Sequence, residues 1–593
     1  MPTLACQSRC RIASLKVQLE RLHAGETNCN HRRLTRLWLN IFFTSCLSLD
    51  GAARQARLLQ RQHRGEAVRG GASAGGRGRQ TESMASSAQP STAGSGNAAH
   101  QAPLPDPPIA AVIAAADPCV HCGFCLPTCA SYRVLATEMD SPRGRIHTLK
   151  AIEAGHLVLD ATVASHFDTC LGCFACVTAC PSGVRYDQLI EATRPKLNAP
   201  ELRTPAQRAF RRLLFSLLPY PNRLRAVLTP LRAYAGTPLQ ALARRSGLTR
   251  LFGPQVEALE SLLPPLAPEA FRDTLPVVVP AVGERRYRVG LVLGCVQRLF
   301  DPAVNAAAIR VLSANGIEVV IPPDQGCCGA VTHHQGELKQ TCELATDLMA
   351  SFAAVIGEGR PAGPEPLDAV LVAASGCGHT LKHYGEILAA GPCEAGAPPA
   401  EATAPNAAAA GSSPPSGVPA GASQPPIPSA GTPELAIAFA HQVADIQEFL
   451  DRVGPSEAFR AALQPLLHAD GTPATTERPL RLAYHDACHM LHGQGLREQP
   501  RSLLRSIPHV RLVEASEAGV CCGSAGIYNL VQPEEAAELG RIKAADLSGT
   551  GADLAVSANI GCTLQIRSHM ESTPRPIPVL HPVQLLQRSL EGG

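Results

Sequence analysis

Apolar positions along the chain fall into short blocks separated by segments of helical spacing. Residues 289–293, 317–321 and 369–373 are nearly all Val, Leu, Ile, Ala or Gly, and so are 482–484, 510–513 and 554–556, with a Tyr and an Arg among them. Blocks of that length and composition predict buried strands. Between the first two, Asp301-Pro302 reads as an N-cap followed by proline at the first helical position, and Gly316 reads as the stop. Strand alternating with helix predicts a parallel sheet. The order occurs twice, so the C-terminal half reads as two copies of one α/β unit, 276–475 and 476–593. Residues 433–453 read as a single helix leading into the second copy.

Other stretches lack this pattern. Residues 1–104 begin Arg-rich and continue rich in Gly, Ala, Ser and Gln. They offer too little apolar surface for a core, which predicts a disordered extension, with Met84 a conceivable start. Residues 391–432, rich in Pro, Ala, Gly and Ser, read as a flexible insertion in the first copy. Residues 199–275 read as a basic helical linker: from Glu201 to Phe252 there are ten arginines and one acid. There Arg208, Arg211, Arg212, Arg223 and Arg225 alternate with Leu213, Leu214, Phe215, Leu217 and Leu218. The favoured expectation is a connector packed on the next domain; the alternative is an amphipathic surface for an anionic membrane.

Composition adds limits. A chain of 593 residues implies several domains. A net charge of +3 argues against a nucleic-acid partner. No apolar run reaches the length of a spanning helix; 37–49 is too short and is interrupted by Asn40, Thr44 and Ser45. The 22 cysteines are mostly patterned, which suggests a metal protein in a reducing compartment rather than a disulfide scaffold.

The most informative pattern lies in 105–198. Cys119-Val-His-Cys122-Gly-Phe-Cys125-Leu-Pro-Thr-Cys129 is followed by Cys170-Leu-Gly-Cys173-Phe-Ala-Cys176-Val-Thr-Ala-Cys180-Pro181. Both are C-x2-C-x2-C-x3-C, the run of a ferredoxin-like domain with two 4Fe-4S clusters. Three thiolates wrap three corners of a cubane, and the last cysteine of each run ligates the other cluster. The expected ligands are therefore Cys119, Cys122, Cys125 and Cys180 for one cluster, and Cys170, Cys173, Cys176 and Cys129 for the other. Structural zinc, which favours paired C-x2-C units, is the weaker alternative. Ala130 departs from the usual proline without removing a ligand. Arg143 and Arg145 lie between the runs and could offset cluster charge, or simply cap and salt-bridge.

Each apolar block of the two α/β copies is followed by cysteine: Cys295, Cys327-Cys328-Gly329 and Cys377, then Cys488, Cys521-Cys522-Gly523 and Cys562. Ligands of parallel sheets bind beyond the carboxyl ends of the strands. Adjacent cysteines do not readily bridge each other, so a further metal or cofactor site is the better use of these eight thiols. His379, His485 and His489 could contribute or merely neighbour the site. Cys6, Cys10, Cys29, Cys46, Cys342 and Cys393 have no such spacing. No Gly-x-Gly-x-x-Gly follows a strand.

The paired runs, Pro181-Ser-Gly-Val184, Gly326-Cys-Cys-Gly329, Val520-Cys-Cys-Gly523, Pro142-Arg-Gly-Arg-Ile146, Ala374-Ser-Gly-Cys-Gly378 and Ala558-Asn-Ile-Gly-Cys562 together resemble the iron–sulfur subunit of bacterial glycolate oxidase. The likeness covers about 110–593 without the insertion. It implies a ferredoxin-like domain of small α+β type, a helical linker and two cysteine-rich (CCG) α/β domains. It also implies two flavin-binding partner subunits carrying FAD, oxidation of glycolate to glyoxylate on them, and electron exit through this chain to an acceptor such as quinone. The implied location is cytoplasmic, with contact at the inner face of the membrane as an option. The cluster subunit of anaerobic glycerol-3-phosphate dehydrogenase and heterodisulfide reductase share these modules. Repeats of the latter end in C-x-x-C, whereas Thr380 and Gln565 stand here. Each copy therefore offers four cysteines, for a cubane or for one site shared between the copies.

Overall fold

All six apolar blocks become strands. In the first repeat β1 (Val278–Val279), β2 (Tyr287–Val292), β3 (Ile317–Val320), β4 (Ala369–Val372) and β5 (Val443–Asp445) form one sheet in the order β1-β3-β2-β4-β5. All neighbours are parallel except the short β1. In the second, β6 (Leu480–His485), β7 (Val510–Val513), β8 (Leu554–Ser557) and β9 (Val579–Leu580) pair in parallel in the order β7-β6-β8-β9. Leaving the short edge strand β1 aside, each repeat begins at a central strand, β2 or β6, adds one neighbour, then crosses to the other side. That leaves a switch point at the carboxyl end of the central strand, where parallel sheets open a crevice.

This computed structural model describes residues 114–272, 275–357, 365–390 and 432–593. The expected extension 1–104 and all of the expected insertion except Thr432 lie outside them. The helices flanking the insertion, Tyr384–Ala390 and Pro433–Gln442, pack side by side, with the rings of Tyr384 and Phe439 stacked 6.0 Å apart.

Two local expectations change. Residues 433–453 are not one helix: the first ends at Gln442, Val443–Asp445 pairs with β4, and a second helix runs Ile446–Val453. Asp445 starts the second helix with a reciprocal cap involving Glu448. Asp301 does precede the helix Pro302–Ala314, but its side chain caps nothing. It instead meets Arg567 at 3.0 Å and accepts from Gln584 Nε2, tying the first repeat to the second.

One continuous apolar core runs through both repeats. It joins Val289 and Leu291 of β2 to Phe449 and Leu450, to Leu482 and Tyr484 of β6, and to Val583, Leu585 and Leu586 of the C-terminal helix Pro582–Glu591. The opposite faces of the two sheets have separate cores, and these reach the cysteines.

The α+β expectation for the first domain narrows. Among the described residues, 114–198 form helices and cluster loops with no strand. Helix Pro142–Glu153 is capped by the Ser141 hydroxyl, which accepts from Gly144 N at 3.0 Å. The linker helices Pro205–Leu217, Pro221–Leu231, Pro238–Ser246 and Pro254–Ser261 each begin with proline, where a missing N–H costs nothing. Leu214 and Phe215 pack against Ile527 and Leu530 of the second repeat. Buried Arg211 donates to Gln335 Oε1 at 2.8 Å and faces Asp168 at 3.7 Å. The linker thus connects the first domain to both repeats.

Candidate metal centres

The two cysteine runs interlock. One cavity is lined by Cys119, Cys122 and Cys125 from the first run and Cys180 from the end of the second, with Arg143. A second is lined by Cys170, Cys173 and Cys176 and by Cys129 from the end of the first run, with Arg145. Cys176 touches both cavities. The loops curl in the same way. The residues before and after the second cysteine are left-handed in each: His121 and Gly123, then Gly172 and Phe174. Two of these carry side chains in a region that strongly favours glycine, so the loop shape is held against local preference.

Charge placement differs between the cavities. Arg143 is bound by Glu138 at 2.5 Å and donates to His121 O at 3.3 Å. Arg145 is fully buried: Nε donates to His166 O at 2.7 Å, and Nη2 to Thr169 Oγ1 at 2.8 Å and Ser131 Oγ at 3.2 Å. Its Nη1 has no partner. Burial pushes the Cys125 thiol up to about 11 and drives Cys173 and Cys176 well above the usual range. Thiols so placed stay protonated unless a metal cation takes the proton's place, and four around one cavity fit an iron–sulfur cluster.

In the repeats, Cys295 Sγ lies 3.2 Å from Cys327 Sγ, and thiol contacts continue through Cys328 to Cys377. The second repeat matches it from Cys488 through Cys521 and Cys522 to Cys562. Each nest draws on one repeat only. Gly329 and Gly523, just after the cysteine pairs, have φ of +78° and +91°, and a Cβ on Gly523 would meet Ala536 O at 2.7 Å. Glycine is needed there so the chain can turn the pair inward. Tyr384 Oη donates to Cys328 O at 2.7 Å, and Asn559 Nδ2 to Cys562 Sγ at 3.3 Å. Cys342, outside the expected ligand set, is disulfide-bonded.

The three singled-out histidines separate. His485 ends β6 and lies at the second nest with Cys522 and Cys562. The rings of His379 and His489 instead cluster with Phe174 of the second cluster loop, at centroid distances of 4.8–5.3 Å. His489 Nε2 bonds Gly172 O at 3.0 Å. Burial holds His379 well below the usual imidazole range and brings His489 down to about 4. His334 and Arg194 complete this junction, and no sequence signal singled them out. Arg194 reaches His334 Nδ1 at 3.1 Å and Cys170 O at 3.0 Å. On its other side the second cluster loop meets the second nest: Cys173, Cys488 and Cys521 share an apolar patch with Leu171, Tyr528 and Leu539.

Family comparisons cover the same segments. A model described as a 4Fe-4S dicluster domain matches residues 115–184, and one described as a cysteine-rich domain matches 289–382 and 482–567. Residues 206–263 match the linker region of the glycolate oxidase iron-sulfur subunit. A probable glycolate oxidase iron-sulfur subunit of Bacillus subtilis (strain 168) is 31% identical over 455 residues, 76% of this chain and 88% of the relative. The glycolate oxidase iron-sulfur subunit of Escherichia coli (strain K12) is 29% identical over 479 residues, covering 80% and 94%. A polypeptide of the fumarate reductase (CoM/CoB) of Methanothermobacter marburgensis is 28% identical over 289 residues, covering 48% of this chain and 42% of that one.

Proposed function

Since the chain belongs to the glycolate oxidase iron-sulfur subunit family, we propose that its interlocked thiol cavities and cysteine nests form a path for single electrons. The chain is the electron-transfer iron–sulfur subunit of a glycolate-oxidase-type complex. The observation that carries the path is the seating of Cys173, a wall of the second cavity, beside Cys488 and Cys521 of the second nest. Candidate centres walled by one shared patch are near neighbours, which suits direct transfer of an electron between them.

In this reading Cys119, Cys122, Cys125 and Cys180 hold one 4Fe-4S cluster, and Cys170, Cys173, Cys176 and Cys129 hold the other. Cys295, Cys327, Cys328 and Cys377 with Cys488, Cys521, Cys522 and Cys562 supply further iron–sulfur sites. Bound clusters supply one-electron chemistry, while hydride removal from a 2-hydroxy acid is flavin work. Two partner subunits carrying FAD would therefore oxidise glycolate to glyoxylate. The chain's own residues tune and shield the path. The free Nη1 of Arg145 offsets thiolate charge at the second cavity. The Phe174, His379 and His489 rings keep water from its loop.

The domain frame is 105–198, 199–275, 276–475 and 476–593. Among the described residues no helix is long and apolar enough to cross a membrane. Delivery to quinone by contact at the membrane surface is part of this proposal. The glycerol-3-phosphate and heterodisulfide alternatives gain no comparable support, since the linker match and the two relatives spanning most of this chain point to glycolate. The test is anaerobic purification with the flavin partners. About eight irons in the ferredoxin-like part and glycolate-dependent dye reduction are expected. Stoichiometric zinc without iron would overturn the reading.

A further inference from the structure

Both repeats place their cysteines beyond the carboxyl ends of a sheet, but the strand ends beneath them differ. In the first repeat Val292 of β2 and Val372 of β4 are partners in register. At the matching places of the second, His485 of β6 pairs with Ser557 of β8. Two apolar side chains have become two polar ones, and both residues are completely buried.

Their polar atoms are unspent. Neither His485 nitrogen nor the Ser557 hydroxyl has a hydrogen-bond partner. Burying such groups unpaired is costly, so they call for a partner that protein atoms do not supply. His581, equally deep, shows the ordinary solution: Nε2 meets Ala373 O at 2.8 Å and Nδ1 accepts from Val583 N at 3.2 Å. Among the described residues His485 is the buried histidine with both nitrogens left over. A ring nitrogen of His485 and the Sγ atoms of Cys522 and Cys562 lie within 4.8 Å of one another. That is the spacing of groups that share one metal ion or cluster.

We propose that His485 is a ligand of the second repeat's metal centre, which is thus bound by imidazole as well as thiolate, while the first repeat's centre has thiolates alone. The inference rests on the reading that the repeats hold metal. His485, Cys522 and Cys562 form the inner side of the centre, and Cys488 and Cys521 form the side facing Cys173. Ser557 is a positioning residue beside the ring. A neutral imidazole brings no negative charge, and such ligation raises a centre's potential above that of an all-thiolate one. The second centre would then draw electrons from the ferredoxin-like clusters.

The test uses the full chain, purified anaerobically with its partners, in four forms: wild type, H485V, H485C and C522A. Valine is what the first repeat holds at this place, so the strand accommodates it, and unchanged ferredoxin-type signals check the fold. Metal content is counted, and nitrogen hyperfine coupling is read with and without 15N-histidine. Wild type should show a strongly coupled imidazole nitrogen. H485V should lose that coupling and the second centre's share of metal, and H485C should regain metal without the coupling. If the centre is spectroscopically silent, loss of metal in H485V and its return in H485C support the proposal equally well. Parent-level metal and an unchanged spectrum in H485V would overturn the proposal. Should H485V fail to fold, H485C decides alone: coupling retained overturns the proposal, and coupling lost with metal kept supports it. Metal unchanged in C522A would instead overturn the metal reading of the repeat itself.

Discussion

The two cysteine-rich repeats share strand order, four cysteines and the glycine after the cysteine pair, yet their surroundings differ. The second nest faces the ferredoxin-like part, with Cys488 and Cys521 against the wall that holds Cys173. In the first nest Cys295 and Cys327 pack instead with Leu344, Val296 and Tyr220, the last from the linker. Duplication supplied two like frames, and contact distinguishes them. A thiol nest beside a cluster loop can receive an electron from it directly. In the proposed path, one beside the linker receives it later or from another route.

The sharpest way to break this asymmetry is Cys173→Ser, which touches the second cluster and its neighbour together. Roughly four irons should be lost, along with nearly all glycolate-dependent acceptor reduction, while substrate still bleaches the partner flavin. Iron analysis with stopped-flow absorbance checks this; acceptor reduction at the parental rate would mean that electrons bypass the cavity.

A smaller effect, and a direct comparison, comes from Cys522→Ala against Cys328→Ala. Both should lower iron below the parent. Acceptor reduction should slow more in the second-repeat variant, and flavin bleaching should persist in both. Equal slowing would show that the repeats act in series with no preferred entry, and parental iron and rates in both would make them structural.

Arg145→Met sharpens the picture at the ferredoxin side. Removing a fully buried cation strips Asp140, Thr169 and Ser131 of a partner and should cost on the order of 3 kcal/mol of stability. The potential of the second cluster should fall while that of the first stays put, because Arg143 serves the other cavity. A redox titration following both signals tests it. Least of all should follow from deleting residues 1–83. Iron content and assembly should match the parent, since that composition supports no core; loss of clusters would show the segment is needed.

Much of this was legible in the chain itself. Apolar blocks that stop at cysteine mark both a strand and the end of the sheet where a ligand sits, so β2, β3, β4, β6, β7 and β8 were readable. β5 was not, because three residues inside a helical period carry too little alternation to stand out, and only pairing with β4 makes them a strand. Asp301 looked like a cap because local sequence cannot show Arg567 arriving from 266 positions away. His334 and Arg194 are likewise ordinary residues until folding brings a helix end and a cluster loop together. His485 stood out only as a histidine near a cysteine; its pairing with Ser557, opposite Val292 and Val372, needs the strand register.

The adjoining helices at the ends of the insertion have a practical consequence. Tyr384 stacks on Phe439, and a Cβ on Gly385 would meet Ile437 at 2.6 Å, so the chain leaves the first repeat and returns to it at nearly one point. Closing a loop across such a short gap costs little more as the loop lengthens. The segment between is therefore a natural port for cargo: a fluorescent reporter or purification handle spliced into it would ride on the subunit without prying its helices apart.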